Sequence, residues 1–187
     1  MRRNIPMMKN IFEKNFTKRN RFTRQCIGEA VIALMQTKDF QDITISDIVK
    51  KAGVSRMTFY HYFHTKTDAV NNYIHEIIES YIEECSRTLG IETFYDKAHI
   101  RHALLFFDKH AEVFVTLANA NLHGLMITAI NEYLLKLIAP IYSHSVYELY
   151  YYGGALLNVY LTWEMSGKKE TVDEIVEIIW HCCTISS

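Results

Sequence analysis

A short stretch of the chain concentrates side chains that can donate hydrogen bonds to anionic and polar partners. Between Thr44 and Lys66 the sequence reads TISDIVKKAGVSRMTFYHYFHTK. Its second half carries hydroxyl, guanidinium and imidazole groups at Ser55, Arg56, Thr58, Tyr60 and His61. Groups of these kinds hydrogen-bond phosphate oxygens and the edges of bases. The stretch therefore predicts contact with a nucleic acid.

The first half of this stretch is predicted to form a helix that positions the second half. Its apolar residues recur at i, i+3, i+4 and i+7, which places on one face Ile45, Ile48, Val49 and Ala52. Thr44 and Asp47 have the spacing of a capping box. Gly53 follows the last periodic residue, where a residue without Cβ can take a positive φ and end the helix. We therefore expect a turn at Gly53.

A second helix is predicted to begin at Ser55. Phe59 and Phe63 are four residues apart, so they can be buried together and brace this helix against the first. The remaining residues would then face outward. A helix held in this way can enter a DNA major groove, which is about 12 Å wide.

These residues closely resemble the TetR family of one-component bacterial transcriptional regulators. The resemblance runs from about Thr23 to Val70, and its most specific part is AGVSRMTFYHYFHTK, followed by Thr67-Asp68-Ala69-Val70. One departure is Met57, at a position that is often glycine in the family. There a side-chain contact with a thymine methyl group is expected to replace close approach of the backbone.

The resemblance implies roles for individual residues in binding double-stranded DNA. Residues expected to contact phosphates are Thr44, Tyr60, His61 and Lys66. Arg56 is expected to read a base, because its guanidinium can donate two hydrogen bonds to guanine, and beside it lie Ser55, Met57 and Thr58. The alternatives are core packing for Tyr60 and simple solvation for Arg56.

Charge is strongly segregated along the 187 residues, although the net charge is only -1. Residues 1–66 hold 13 Lys or Arg and 5 Asp or Glu, a net charge of +8, whereas residues 67–187 hold 7 and 16, a net charge of -9. A basic segment of this kind is typical of contact with nucleic acid or a membrane. No signal peptide or membrane span is indicated, so we expect a cytoplasmic protein.

Seven Gly and two Pro are few turn-forming residues for this length, which favours an all-α fold of about nine helices. We expect a flexible basic segment over 1–17, a helix-turn-helix domain over 18–66 and a larger helical domain over 67–187. The first helix, Lys18 to Thr37, would bury a face of Ile27, Ala30, Val31 and Leu34, extended by Phe22 and Cys26.

Capping boxes mark three further helix starts: Thr65 to Asp68, Ser145 to Glu148 and Thr171 to Glu174. The first opens a long helix that runs toward Gly90 and links the two domains. The other helices are expected at roughly 93–108, 109–118, 122–138, 145–167 and 171–184.

The last two helices are predicted to form the interface of a homodimer. Gly153, Gly154 and Ala155 give the first of them a flat stretch, and the second repeats apolar residues at Ile175, Ile178, Ile179 and Cys182. In the resembling family such a pair forms a four-helix bundle with its copy. The alternative is that these residues serve only the core of one subunit.

The resemblance also implies a small-molecule effector that binds the C-terminal domain and releases a repressor from a pseudo-palindromic operator. Residues 67–187 contain 16 of the 24 aromatic residues, but aromatic residues at helical spacing are more often core, so no pocket residue is predicted. A coactivator or adaptor that binds a partner protein remains an alternative, as does an enzyme with a DNA-binding appendage.

Catalytic, metal and cofactor sites are not predicted. The chain has no nucleophile elbow, phosphate-binding glycine loop or H-E-x-x-H motif. His99 and His102 have helical spacing but lack a third metal ligand in the sequence. Cys26, Cys85, Cys182 and Cys183 lack C-x-x-C spacing, and they are interpreted as small apolar residues.

Overall fold

The computed structural model describes residues 18–90, 96–141 and 145–184. Within these ranges the chain forms nine α-helices and no β-strand, so the all-α prediction is confirmed. The helices are α1 (Lys18–Met35), α2 (Ile45–Ala52), α3 (Arg56–Tyr62), α4 (Lys66–Thr88), α5 (Lys97–Lys109), α6 (Ala111–Asn119), α7 (His123–Tyr133), α8 (Val146–Met165) and α9 (Val172–Thr184). The segment 1–17, which we expected to be flexible, lies outside the described residues.

Two shorter helical segments complete the described fold. A 3-10 turn over Phe40–Asp42 connects α1 to α2, and a π-helical segment over Leu134–Ile138 continues α7. The sequence predicted one regular helix through residue 138. None of the helices in the described ranges combines the length and apolarity needed to cross a bilayer.

The buried face of α1 is formed by Ile27, Ala30 and Val31, as predicted. Phe22 was expected to extend this face, and that prediction is wrong, because the Phe22 side chain is 67% exposed. Five residues separate Phe22 from Ile27, and a helix turns about 140° beyond one full turn over that distance. Phe22 therefore points away from the core.

Most predicted helix caps are present. Thr44 accepts the amide N–H of Asp47 while the Asp47 carboxylate accepts the amide of Thr44, and Thr65 pairs with Asp68 in the same way. Thr171 and Glu174 also exchange these two bonds. The box predicted at Ser145 differs, because its hydroxyl accepts the amide of Tyr147 instead of that of residue 148. Gly53 ends α2 with a φ of 67°.

The long helix α4 packs along α1 and also contacts α5 and α7. Gly28 permits close approach, since a Cβ at that position would lie only 2.6 Å from the Tyr73 Cβ. An ion pair of 3.2 Å joins Arg24 to the buried Glu76, and burial raises the pKa of Glu76 despite the nearby Arg24. The N-terminal helices are thus fixed to α4 by shape and by charge.

One connected apolar core runs from Ile27 to Ile179. In its C-terminal part Tyr81 of α4 lies among the rings of Phe106, Phe107 and Tyr133. The hydroxyl of the buried Tyr160 donates to the carbonyl of Phe107 at 2.9 Å. Aromatic packing therefore holds α4, α5, α7 and α8 together.

The residues that suggested a dimer interface divide between the core and the surface. On α9, Ile175 and Ile179 are buried, whereas Ile178 is 50% exposed and Cys182 is exposed. On α8, Gly153 faces its own chain, because an added Cβ would lie 2.8 Å from a methyl group of Leu134. A Cβ on the neighbouring Gly154 would meet no atom of the other helices within 4 Å, among the residues that the structure describes. Only part of the predicted stripe is therefore available to a second subunit.

Gly28→Ala is expected to lower the free energy of unfolding by about 1 to 3 kcal/mol, because the new methyl group would force α1 away from Tyr73. Gly124→Ala is the matched control: it lies in α7 with no atom within 4 Å of an added Cβ. The control should be neutral or stabilising by up to about 1 kcal/mol. Denaturant unfolding at one protein concentration measures both, and equal stabilities would contradict the predicted close contact.

Candidate nucleic-acid interface

The outer face of α3 displays the polar residues that the sequence singled out. Ser55, Arg56 and His61 are exposed. Met57 is 82% exposed and Tyr60 is 53% exposed, so core packing does not account for Tyr60. Thr58 is partly buried, and its hydroxyl lies 2.9 Å from that of Ser55. Together with the partly buried Thr58, the exposed groups form one surface, which we call the α3 face: residues 55–58, 60 and 61.

Two phenylalanines on the opposite side of α3 hold this face in place. Phe59 is fully buried and Phe63 is 5% exposed, with ring centroids 5.9 Å apart, as the sequence predicted. Ser55 caps the helix by accepting the amide of Thr58 at 3.0 Å. A helix of seven residues is too short to be stable alone, so these contacts are what keep it folded.

Arg56 makes a contact that the sequence analysis missed. Its Nη2 donates to the hydroxyl oxygen of Ser46 at 2.5 Å, across the turn between α2 and α3. Ser46 is exposed at the start of α2, and nothing in the spacing of the two residues indicates that they meet. A guanidinium has five N–H donors, so Arg56 keeps four for other acceptors.

Thr44 lies at the start of α2, and its side chain is already hydrogen-bonded. The Thr44 hydroxyl donates to the Asp47 carboxylate at 2.8 Å, and Lys38 donates to the same oxygen at 2.9 Å. The hydrogen bonds from Lys38 and Thr44 hold the pKa of Asp47 well below its usual range. A phosphate contact from this hydroxyl would therefore compete with a charged carboxylate.

Lys66 is oriented differently from the sequence prediction. Its ammonium donates to the backbone carbonyl oxygens of Phe40, Gln41 and Ile43, at 2.5, 2.8 and 3.0 Å. It also lies 4.7 Å from the centre of the Phe40 ring. In the free protein all three N–H donors of the ammonium are thus directed into the protein, and the contact of Lys66 with phosphate stays a prediction.

The surroundings of the α3 face are basic. Residues 18–66 hold nine Lys or Arg and four Asp or Glu, a net charge of +5. Lys50 and Lys51 are exposed in the last turn of α2, next to the turn that leads into α3. Basic side chains at such a surface attract the phosphate backbone and make binding dependent on salt concentration.

A second candidate site is a small cavity between α4, α5, α7 and α8. It has a volume of about 30 Å³, which is room for one or two water molecules. Its lining is apolar apart from three tyrosines, Tyr81, Tyr133 and Tyr152, and it includes Leu134 and Gly153. Burial raises the pKa of Tyr81 and of Tyr133, so both hydroxyls stay protonated near neutral pH.

The two histidines considered as metal ligands have other contacts. The ring of His99 contacts Asp96 through Nδ1 at 2.9 Å and the Gly90 carbonyl through Nε2 at 3.1 Å. The Nε2 of His102 lies 3.3 Å from the Glu84 carboxylate. In the part of the chain that the structure describes, no cluster of three or more potential metal ligands is present.

Similarity to known proteins is clearest over the N-terminal helices. The family model for bacterial regulatory proteins of the tetR family matches residues 27–71. An uncharacterized HTH-type transcriptional regulator, YxbF of Bacillus subtilis (strain 168), is 35% identical over 74 residues, which are 40% of this chain and 17% of that protein. The similar segment is thus less than a fifth of that relative.

Solved structures extend the likeness to the whole fold. Lin0861 from Listeria innocua is similar with a TM-score of 0.79 and 18% identity, over 94% of this chain and 96% of that one. A TetR transcriptional regulator from Streptococcus agalactiae 2603V has a TM-score of 0.62 and 17% identity, over 88% and 95% of the two chains. Residues 27–71, which include α2, α3 and the α3 face, thus match the tetR family of bacterial regulatory proteins, and the solved structures share the fold of the whole chain.

Proposed function

We propose that the protein is a homodimeric repressor, which binds a pseudo-palindromic operator and leaves it when a small-molecule effector binds the C-terminal helices. The observation that carries the proposal is the α3 face, whose exposed donors are braced from behind by Phe59 and Phe63. Residues 18–66 would form the DNA-binding domain and residues 67–187 the regulatory and dimerisation domain. The protein would act in the cytoplasm, where its DNA lies.

The α3 face divides into two kinds of contact in this proposal. Arg56 reads a base pair, because its remaining donors allow a bidentate contact with guanine. Ser55, Met57 and Thr58 lie on the same turn and contact neighbouring bases. Tyr60 and His61, one turn later, donate to phosphates and set the register. Thr44 contributes a phosphate contact only if its hydroxyl leaves Asp47.

Arg56→Ala is expected to relax sequence preference at one position of each half-site, by about 1 to 3 kcal/mol. Tyr60→Phe removes only a hydroxyl and should weaken binding to all DNA sequences alike, by about 0.5 to 1.5 kcal/mol. Selection of bound sequences from random double-stranded DNA measures both variants and should enrich an inverted repeat with the unaltered protein. Uniform losses for both variants would contradict the division of roles, and failure to enrich any repeat would contradict operator binding.

Dimerisation is required by the geometry of B-DNA. Two α3 faces must reach successive major grooves, whose centres are about 34 to 36 Å apart. The proposed interface is formed by α8 and α9, since both helices expose apolar side chains: Tyr147, Tyr150, Tyr151, Met165 and Ile178. Gly154 supports it, because none of the other described helices has an atom within 4 Å of an added Cβ.

Ile178→Glu is expected to produce a folded monomer with weak operator binding, because a charge would be buried at the centre of the proposed interface. Leu105→Glu is the matched control: Leu105 is 42% exposed on α5 and Ile178 is 50% exposed. Sedimentation velocity gives the mass, and circular dichroism verifies the helices. A dimeric Ile178→Glu variant, or a monomer caused equally by Leu105→Glu, would contradict the interface.

The effector is proposed to bind at the cavity beside Tyr81, Tyr133 and Tyr152. The tyrosine hydroxyls would hydrogen-bond a polar group of the ligand, and the apolar lining would hold the rest. At about 30 Å³ the cavity is too small for such a molecule, so binding requires a conformation in which it is larger. The π-helical segment supports this step, because Leu134 belongs both to that segment and to the lining, and π-turns are frequent at functional sites.

Ala103→Val is expected to abolish release of operator by an effector without weakening DNA binding, because Ala103 lines the cavity. Ala118→Val makes the same change at a buried position of α6 that is not part of the lining, and serves as the control. Fluorescence anisotropy of labelled operator identifies releasing compounds from a set of small amphiphiles. Release that is equal in Ala103→Val and the unaltered protein would contradict the proposed site.

The small size of the cavity supports one alternative, a coactivator or adaptor that acts through protein contact. In that case no effector would exist, and the exposed tyrosines 147, 150 and 151 of α8 would bind a partner protein. The two functions differ in the selection experiment. A repressor enriches an inverted repeat from random DNA, whereas an adaptor without operator specificity enriches none.

A further inference from the structure

Lys66 occupies an unusual position for a cation. It is the first residue of α4, where the partial positive charge of the helix N-terminus disfavours a positive side chain. It is also only partly exposed, which removes much of the hydration of its ammonium. Both effects have to be offset by acceptors inside the protein.

Those acceptors are the carbonyl oxygens of the 3-10 turn and of the residue that follows it. Phe40 and Gln41 belong to the turn and Ile43 follows it, and their oxygens lie 2.5, 2.8 and 3.0 Å from the Lys66 Nζ. The Phe40 oxygen also accepts the backbone amide of Ile43 at 3.3 Å, which is the i to i+3 bond of a 3-10 turn. The Phe40 ring adds a cation–π contact at 4.7 Å. One ammonium therefore contacts three carbonyl oxygens and the face of one ring.

The three carbonyl groups lie directly before α2 along the chain. Ile43 precedes Thr44, whose capping box starts α2. The α2 helix in turn packs against α3, whose exposed side is the α3 face. The contact of Lys66 thus joins the first turn of α4 to the connection that sets where α2 begins.

We propose that Lys66 is a positioning residue for DNA recognition: its ammonium holds the 40–43 connection on α4, and thereby fixes α2 and the α3 face relative to α4. The effect of Lys66 on DNA binding rests on the proposed operator binding, whereas its effect on the free protein does not. It replaces the role of Lys66 as a phosphate contact. A displacement of α4 is then transmitted to α2 through Lys66.

The variant Lys66→Arg distinguishes a positioning role from a phosphate contact. A guanidinium binds phosphate at least as well as an ammonium, so a phosphate contact would survive this change. A planar guanidinium cannot direct three donors into one compact group of carbonyls as a rotating ammonium does. The positioning role therefore predicts that Lys66→Arg is defective although its charge is unchanged.

The first measurement uses the full-length free protein without DNA. Lys66→Met should increase hydrogen exchange of the amides of residues 43–52 by about tenfold or more, and Lys66→Arg by less, because charge-assisted hydrogen bonds are lost. Lys50→Met is the matched control, since Lys50 is exposed on α2 and loses the same charge. Exchange rates in both Lys66 variants equal to those of the control would overturn the inference, whatever the protein does with DNA.

The second measurement compares the enriched operator with random DNA, at a temperature where each variant is folded. Lys66→Met and Lys66→Arg should lower the ratio of the two affinities by about tenfold, since the α3 face is misplaced while nonspecific attraction persists. A phosphate contact would give the opposite result. The slope of log K against log salt concentration would then fall in magnitude by about 0.9 in Lys66→Met and stay unchanged in Lys66→Arg. If Lys66→Met does not fold, Lys66→Arg alone decides between the two.

Discussion

The contact between α1 and α4 is the constraint on which the rest of the structure depends. Gly28 lets the two helices approach until the Tyr73 side chain fills the space that a Cβ would occupy. Beside it the Arg24–Glu76 ion pair is largely removed from water. Such a pair adds little net stability, but loss of one partner leaves an uncompensated charge that costs about 3 to 5 kcal/mol. The pair therefore favours one register of α1 on α4, and that register orients the α3 face.

Features determined by neighbouring residues were predicted well from the sequence. The capping boxes at Thr44 and Thr65 and the positive φ of Gly53 depend on side chains within three residues or on the backbone itself. The burial of Phe59 and Phe63 follows from one helical turn between them. Local determination explains why the helix-turn-helix was predictable, since a short helix has few alternative faces to bury.

Features determined by distant parts of the chain were predicted poorly. Lys66 is basic and lies beside predicted phosphate contacts, but its acceptors are more than 20 residues earlier and are backbone atoms, which leave no mark in the sequence. Ser46 is likewise inconspicuous until the turn brings it to Arg56. The apolar repeat of α9 is regular, yet only packing on α5 and α8 decides that Ile179 is buried and Ile178 is exposed.

Contacts between distant parts of the chain also matter for the proposed regulation. An effector can shift the equilibrium between two conformations only by the difference between its affinities for them. The proposed effector site is a cavity of only about 30 Å³, so under that proposal the difference comes from a state in which the cavity is larger. Ile78 and Tyr81 of α4 belong to the lining, and the same helix carries Tyr73 and Lys66 nearer its start. Under the proposed mechanism, expansion at the cavity would therefore move the helix that holds both α1 and the 40–43 connection, and this displacement would change the spacing of the two α3 faces in the proposed dimer.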